Sequence, residues 1–263
     1  MISHDSFFIS CLTCFPSKFS FNLQVKNMSE LSDGYNIVGL SQGNMVGRGL
    51  VEFCDGGPPV KNFISLAGPH AGTASVPLCG FTLICALVDC MIKSEIYSNY
   101  VQDIPAYLKG CTFLPQLNNE LAGKRNSTYK ERFSSLENLV LIMFEHDIVL
   151  IPKETSLFGY YPDGSFNAIL PAQQTPLYTE DWIGLKTLDE AGKVKFINVS
   201  GGHLDISHSD MKTYVVPYLK DEASTQLTTA GSSSSHRWLS PMWNFFAKLA
   251  GLNEDQLSLS VVY

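Results

Sequence analysis

The run from Tyr35 to Val46 constrains the fold more than any other part of this chain. An apolar stretch with strand character, Tyr35-Asn36-Ile37-Val38, leads into Gly39-Leu40-Ser41-Gln42-Gly43. Beyond it Met45, Val46, Leu50 and Val51 recur at helical spacing. A strand, a tight turn and a helix in that order form a nucleophile elbow. The turn holds its central residue in a strained backbone conformation, so small residues are expected at Gly39 and Gly43. The Ser41 hydroxyl then stands above the sheet at the positive end of the helix, and the Gln42 backbone N–H points to where an oxyanion would form. An isolated match of this kind is equally an ordinary strand-to-helix turn, so the rest of the chain must supply a histidine and a carboxylate.

With 263 residues, 45% of them hydrophobic, the chain can bury one substantial core. A net charge of −7 and the lack of a basic run argue against nucleic acid as a partner. Charged residues are only 16% of the total, which is compatible with transient contact with lipid or a membrane surface, although no stretch is long enough to span a bilayer. The chain has 7 cysteines and no Cys/His cluster with zinc spacing, so neither metal nor cofactor is expected. Sequons at Asn27-Met-Ser29, Asn126-Ser-Thr128 and Asn198-Val-Ser200 fit a secretory route, whereas the segment from Met1 to Pro16 makes a poor signal peptide.

Residues 1–24 show no clean period and read as an irregular segment; Val25, Met28 and Leu31 then recur every three residues, which suggests a short helix. Residues 25–220 read as one α/β domain with a parallel sheet. Its strands are expected at Tyr35 to Leu40, Val60 to Leu66, Leu139 to Phe144 and Val194 to Val199. Between about 72 and 133 the chain has helical patches and no strand alternation, which predicts a helical insertion over the sheet. Residues 221–263 read as a low-complexity tail with one short amphipathic helix.

Functional residues of parallel sheets sit at the carboxyl ends of strands. Three such ends carry Ser41, Asp147 and His203, in the Ser…Asp…His order of an α/β-hydrolase. Asp163 and Asp181 are rivals for the acid, but neither follows a buried strand. His70 follows a strand end yet precedes every candidate acid, and His208 is expected to face away on a helix.

These motifs, together with Ile64 to Gly72, Lys93 to Ser98, Asp147 to Pro152, Leu157 to Tyr161, Leu177 to Leu185 and Gly202 to Ser207, resemble the palmitoyl-protein thioesterases, and most of all a plant member. The resemblance runs from about Val25 to Leu219. It implies hydrolysis of fatty acyl thioesters on S-acylated proteins, through an acyl-enzyme, in a lysosome or vacuole, by a monomer. Nucleophile Ser41, acid Asp147, base His203 and oxyanion donor Gln42 follow from it. So do an acyl groove at Phe81, Ile84, Leu87 and Ile92, and a disulfide between Cys79 and Cys85. A lipid carboxylester hydrolase or an inactive lipid- or partner-binding remnant are the alternatives.

The chain departs from the family in lacking His-Gly-x-Gly ahead of Ser41, the source of the second oxyanion donor, and in having only 40 residues there. This predicts an α/β-hydrolase fold short of its N-terminal strands, with an exposed sheet edge and weakened activity.

Overall fold

The computed structural model describes residues 6–10 (as backbone), 25–73, 113–162 and 168–219. Five parallel strands form one sheet in the order in which they occur in the chain: β1 (Ser6–Ser10), β2 (Tyr35–Leu40), β3 (Val60–Leu66), β4 (Asn138–Phe144) and β5 (Val194–Val199). Parallel neighbours need a crossover between them. The principal ones are α1 (Gly43–Phe53), α2 (Ser127–Ser134) and α3 (Leu185–Glu190), and consecutive helical turns from His208 to Leu219 follow β5.

The central strands are buried along most of their length because both faces of the sheet are covered there, whereas β5 carries exposed Lys195 and Asn198. Alternate residues feed two separate cores. Ile37, Phe63, Leu139 and Leu141 pack with Leu50 and Val51 of α1, Phe133 of α2, and Leu185 and Leu188 of α3. Val38, Ile64, Val140, Ile142 and Phe144 face the other way, onto Ile206, Val215 and Leu219. Each such fully buried side chain contributes roughly 1.5–3 kcal/mol relative to exposure.

The amino ends of the strands are tied by a polar ladder. Asn62 donates through its backbone N–H and its Nδ2 to Asn36 Oδ1 (3.2 and 2.9 Å), and Asn138 Nδ2 donates to Asn62 Oδ1 (2.8 Å). Asn62 Nδ2 also reaches the Tyr218 carbonyl at 3.1 Å, pinning the C-terminal helical turns to the sheet. A one-residue slip would unmake this ladder and turn both cores outward, so it fixes register.

The four strands expected from β2 onward form within a residue of their expected bounds. The N-terminal expectation needs correction in two respects. Residues 1–24 are not irregular throughout, because Ser6–Ser10 is a strand. It pairs in parallel with β2, from Ser6 opposite Asn36 to Ser10 opposite Leu40, so β2 is not an exposed edge. The reason lies in Phe7, Phe8 and Ile9: a short apolar run has no period to reveal it, but a parallel strand does not require one. Within the expected insertion, residues 113–133 are helical turns and loops; its remainder and the tail after Leu219 lie outside the described residues.

Candidate active site

The site is assembled where β2, β4 and β5 end. Ser41 follows β2 directly with φ 50°, the left-handed conformation that a nucleophile elbow demands. The turn closes because Gly39 has no side chain: a Cβ there would lie 2.1 Å from Asn44 Oδ1 and 2.9 Å from Asn44 Cα. Asn44 sits in the first turn of α1, wholly buried. Its Nδ2 donates to the Ser41 carbonyl (2.8 Å) and to the Leu66 carbonyl at the end of β3 (3.0 Å). The Ser41 N–H donates to that same Leu66 carbonyl at 2.9 Å. One side chain therefore locks the strained turn to the neighbouring strand. The N–H of Gln42 follows, at the start of α1, and donates to no backbone group among the described residues.

Asp147 lies in the turn after β4. Its Oδ1 accepts from the Val149 and Leu150 N–H groups (2.8 and 3.1 Å), an arrangement that orients the carboxylate. Its Oδ2 accepts from His203 Nδ1 at 2.7 Å. With the Nδ1 proton so engaged, His203 Nε2 is left to accept the Ser41 hydroxyl proton across 2.9 Å. The Asp147 side chain is 1% exposed and that of His203 12%, so the acid is sealed while the imidazole edge meets solvent. Backbone hydrogen bonds knit the two loops: Glu145 N–H donates to Val199 O, and His146 N–H to Gly201 O. Gly201, at φ 122°, is obligatory because a Cβ would lie 2.2 Å from the Asp205 carbonyl oxygen.

Ser41, Asp147 and His203 thus converge, and Gln42 stands beside them. The rivals have other places. Asp181 accepts from the Lys186 and Thr187 N–H groups as a cap on α3 and pairs with Lys130. His208 is exposed at the head of the C-terminal helical turns. Asp163 lies outside the described residues, as do Phe81, Ile84, Leu87 and Ile92 and the cysteines Cys79 and Cys85.

Sequence reasoning missed the polar work under the site. His70, fully buried, places its Nε2 2.8 Å from Ser65 Oγ and stacks on Phe158 at 4.5 Å. Arg48, also buried, donates to Glu52 Oε1, Asn118 Oδ1 and the Leu117 carbonyl. Burial pushes the Glu52 carboxyl up to about 7, against the pull of Arg48. Burial, and then the Arg48 charge, hold the His70 imidazole well below its ordinary value, so it is neutral. Arg48 and Glu52 are i,i+4 on α1, the one signal in the sequence that could have found this cluster. Among the described residues, no group of three or more His, Cys, Asp and Glu is placed to hold a metal ion.

A parallel sheet with Ser, Asp and His joined at three strand ends, the serine in a strained elbow, is the arrangement of the α/β-hydrolases. A family model described as palmitoyl protein thioesterase matches residues 17–203. The chain belongs to the palmitoyl-protein thioesterase family. It is 39% identical over 201 residues to palmitoyl-protein thioesterase 1 of Caenorhabditis elegans, covering 71% of this chain and 66% of that protein. Against palmitoyl-protein thioesterase 3 of Dictyostelium discoideum the identity is 33% over 206 residues, covering 73% and 71%. A lysosomal thioesterase PPT2 homolog of Drosophila melanogaster is 32% identical over 173 residues, covering 62% and 59%. The chain thus spans about two thirds of the length of the nematode relative.

Proposed function

We propose that this chain hydrolyses long-chain fatty acyl thioesters on S-acylated proteins, with Ser41 as nucleophile, His203 as general base and acid, and Asp147 as the group that orients and charge-balances the imidazole. The observation that carries the reading is the unbroken Ser41–His203–Asp147 hydrogen-bond chain. His203 Nε2 takes the Ser41 proton as Oγ attacks the thioester carbonyl, and the Asp147 carboxylate stabilises the imidazolium that results. The oxyanion of the tetrahedral intermediate lies toward the Gln42 N–H. Collapse breaks the C–S bond, His203 returns the proton to the departing cysteine thiolate, and Ser41 is left acylated. Water deprotonated by His203 then attacks the ester, releasing the fatty acid and restoring the serine. Every proton in this scheme passes through His203 Nε2, and none needs a metal. Two of the relatives are named lysosomal thioesterases, and our reading sets this chain in the lumen of a lysosome or vacuole.

The test is turnover of a fatty acyl thioester by the purified chain beside Ser41→Ala, with an oxygen ester of the same acyl chain in parallel. The reading predicts thioester hydrolysis that disappears in the variant. Preference for the oxygen ester would make the chain a lipid carboxylesterase, and turnover that survives Ser41→Ala would remove the triad from the mechanism.

A further inference from the structure

The sequons are not equivalent once the chain is folded. Asn126 is half-buried and caps α2, its Oδ1 accepting from the Thr128 N–H at 2.9 Å, while its own N–H and carbonyl are both bound by Asn119. Asn27 is exposed in the turn ahead of β2. Asn198 differs from both because it lies within a strand. Asn198 is exposed near the end of β5 and Ser200, also exposed, follows in the bend after the strand, while Val199 between them is buried in the core. No hydrogen bond among the described residues engages the Asn198 side chain. Among those residues β5 pairs only with β4, and no described strand lies along its outer side.

We propose that Asn198 is an N-glycosylation site, and that its oligosaccharide sheathes the open edge of β5. The inference rests on the lumenal setting of the function proposed above. The reaction takes a lipid-pyrophosphate-linked oligosaccharide as donor. Asn198 Nδ2 attacks the first sugar's C1, a C–N bond forms as the C1–O bond to pyrophosphate breaks, the amide gives up one proton, and the lipid pyrophosphate departs. The folded chain accommodates the product without loss of packing, because only the Val199 side chain of the sequon enters the core. The consequence is physical. An unpaired strand edge is a template for another chain, and natural proteins blunt such edges with charge or cover. Lys195, exposed on the same strand, supplies charge, and a bulky hydrated sugar three residues on supplies cover.

The experiment expresses the full chain behind a cleavable secretory leader in eukaryotic cells, which separates the modification from the question of how the chain enters the lumen. Asn198→Gln and Ser200→Ala both destroy the sequon, the second while keeping the asparagine, and Ser200→Thr retains it. Sugar occupancy is mapped by peptide mass spectrometry after enzymatic deglycosylation. Asn198 is expected to be occupied in the wild type and in Ser200→Thr. The two sequon-breaking variants should each lose one glycan and several-fold in soluble secreted yield, with turnover per probe-labelled serine unchanged. Recovery of folded wild-type chain with a bare Asn198 overturns the site, and full soluble yield from both sequon-breaking variants overturns the sheath. Occupancy in a chain with no thioesterase activity leaves this inference standing while the functional reading falls.

Discussion

Two serine–histidine pairs lie at adjacent strand ends of this molecule, and they are nearly equal in distance. Ser41 Oγ is 2.9 Å from His203 Nε2 beyond β2, and Ser65 Oγ is 2.8 Å from His70 Nε2 at the end of β3. The difference lies in what surrounds them. His203 has a carboxylate on its second nitrogen and an edge in solvent. His70 is fully buried, its Nδ1 has no hydrogen-bond partner among the described residues, and the charge that acts on it is the cation of Arg48. A base that must become an imidazolium needs an anion beside it, whereas burial beneath a guanidinium forbids that charge. Hydrogen-bond distance alone does not make a catalytic pair.

The largest effect should come from breaking one pair and then the other. Ser41→Ala is expected to lower thioester kcat/KM by at least about 10³-fold, while Ser65→Ala leaves it within a few-fold, measured on chains with matching circular dichroism. Asp147→Asn sharpens the comparison by taking the anion from beside His203, so that neither imidazole has one. The expected fall in kcat is on the order of 10³–10⁴-fold with little change in KM. Next comes Asn44→Ala, which strips the shared bridge from the Ser41 and Leu66 carbonyls. Each carbonyl keeps one backbone donor, so the loss of the side-chain bridge should cost about 0.5–1.5 kcal/mol per hydrogen bond in denaturant unfolding and lower kcat as the elbow loosens.

The smallest effect is in the pH dependence of stability, where the buried pair and its neighbour Glu52 act in opposition. The raised Glu52 carboxyl means the native state keeps a proton that the unfolded chain has released between its ordinary 4.5 and about 7. Its contribution is therefore fully present below 4.5 and is lost as pH rises through 7. The depressed His70 acts the other way, because below its ordinary 6.5 the unfolded chain takes a proton that the native imidazole refuses, so stability falls with falling pH. The two largely cancel between 4.5 and 6.5. Glu52→Gln should uncover a loss of stability with acidification below 6.5, and His70→Gln a gain, each with a slope of up to about 1.4 kcal/mol per pH unit. Thermal melts across that range decide it; parallel profiles for the two variants would contradict the assignment.

The Ser41–His203 contact could be read from the sequence and the buried Ser65–His70 contact could not. Ser41, Asp147 and His203 each follow an apolar run that ends in a turn, so the pattern of strands delivers them to one edge of a sheet. Asn44 and Arg48 sit inside α1 and find partners 22 residues away at Leu66 and 70 and 69 residues away at Asn118 and Leu117, while Ser65 is buried within β3 and meets a histidine that lies beyond the strand end. No local period reports a contact of that kind. The strand Ser6–Ser10 escaped for another reason: its apolar residues are too few to separate a short parallel strand from a disordered cluster, and only its register beside β2 identifies it. Gly201 was legible as a turn, but that its Cβ would strike Asp205 was not.

The most direct test of the central claim is labelling of the folded chain with a fluorophosphonate serine probe, followed by peptide mapping. Modification is expected at Ser41 alone, dependent on His203 and Asp147 and absent in Ser41→Ala. Modification at Ser65, or none in a chain whose circular dichroism and melting show it to be folded, would contradict it.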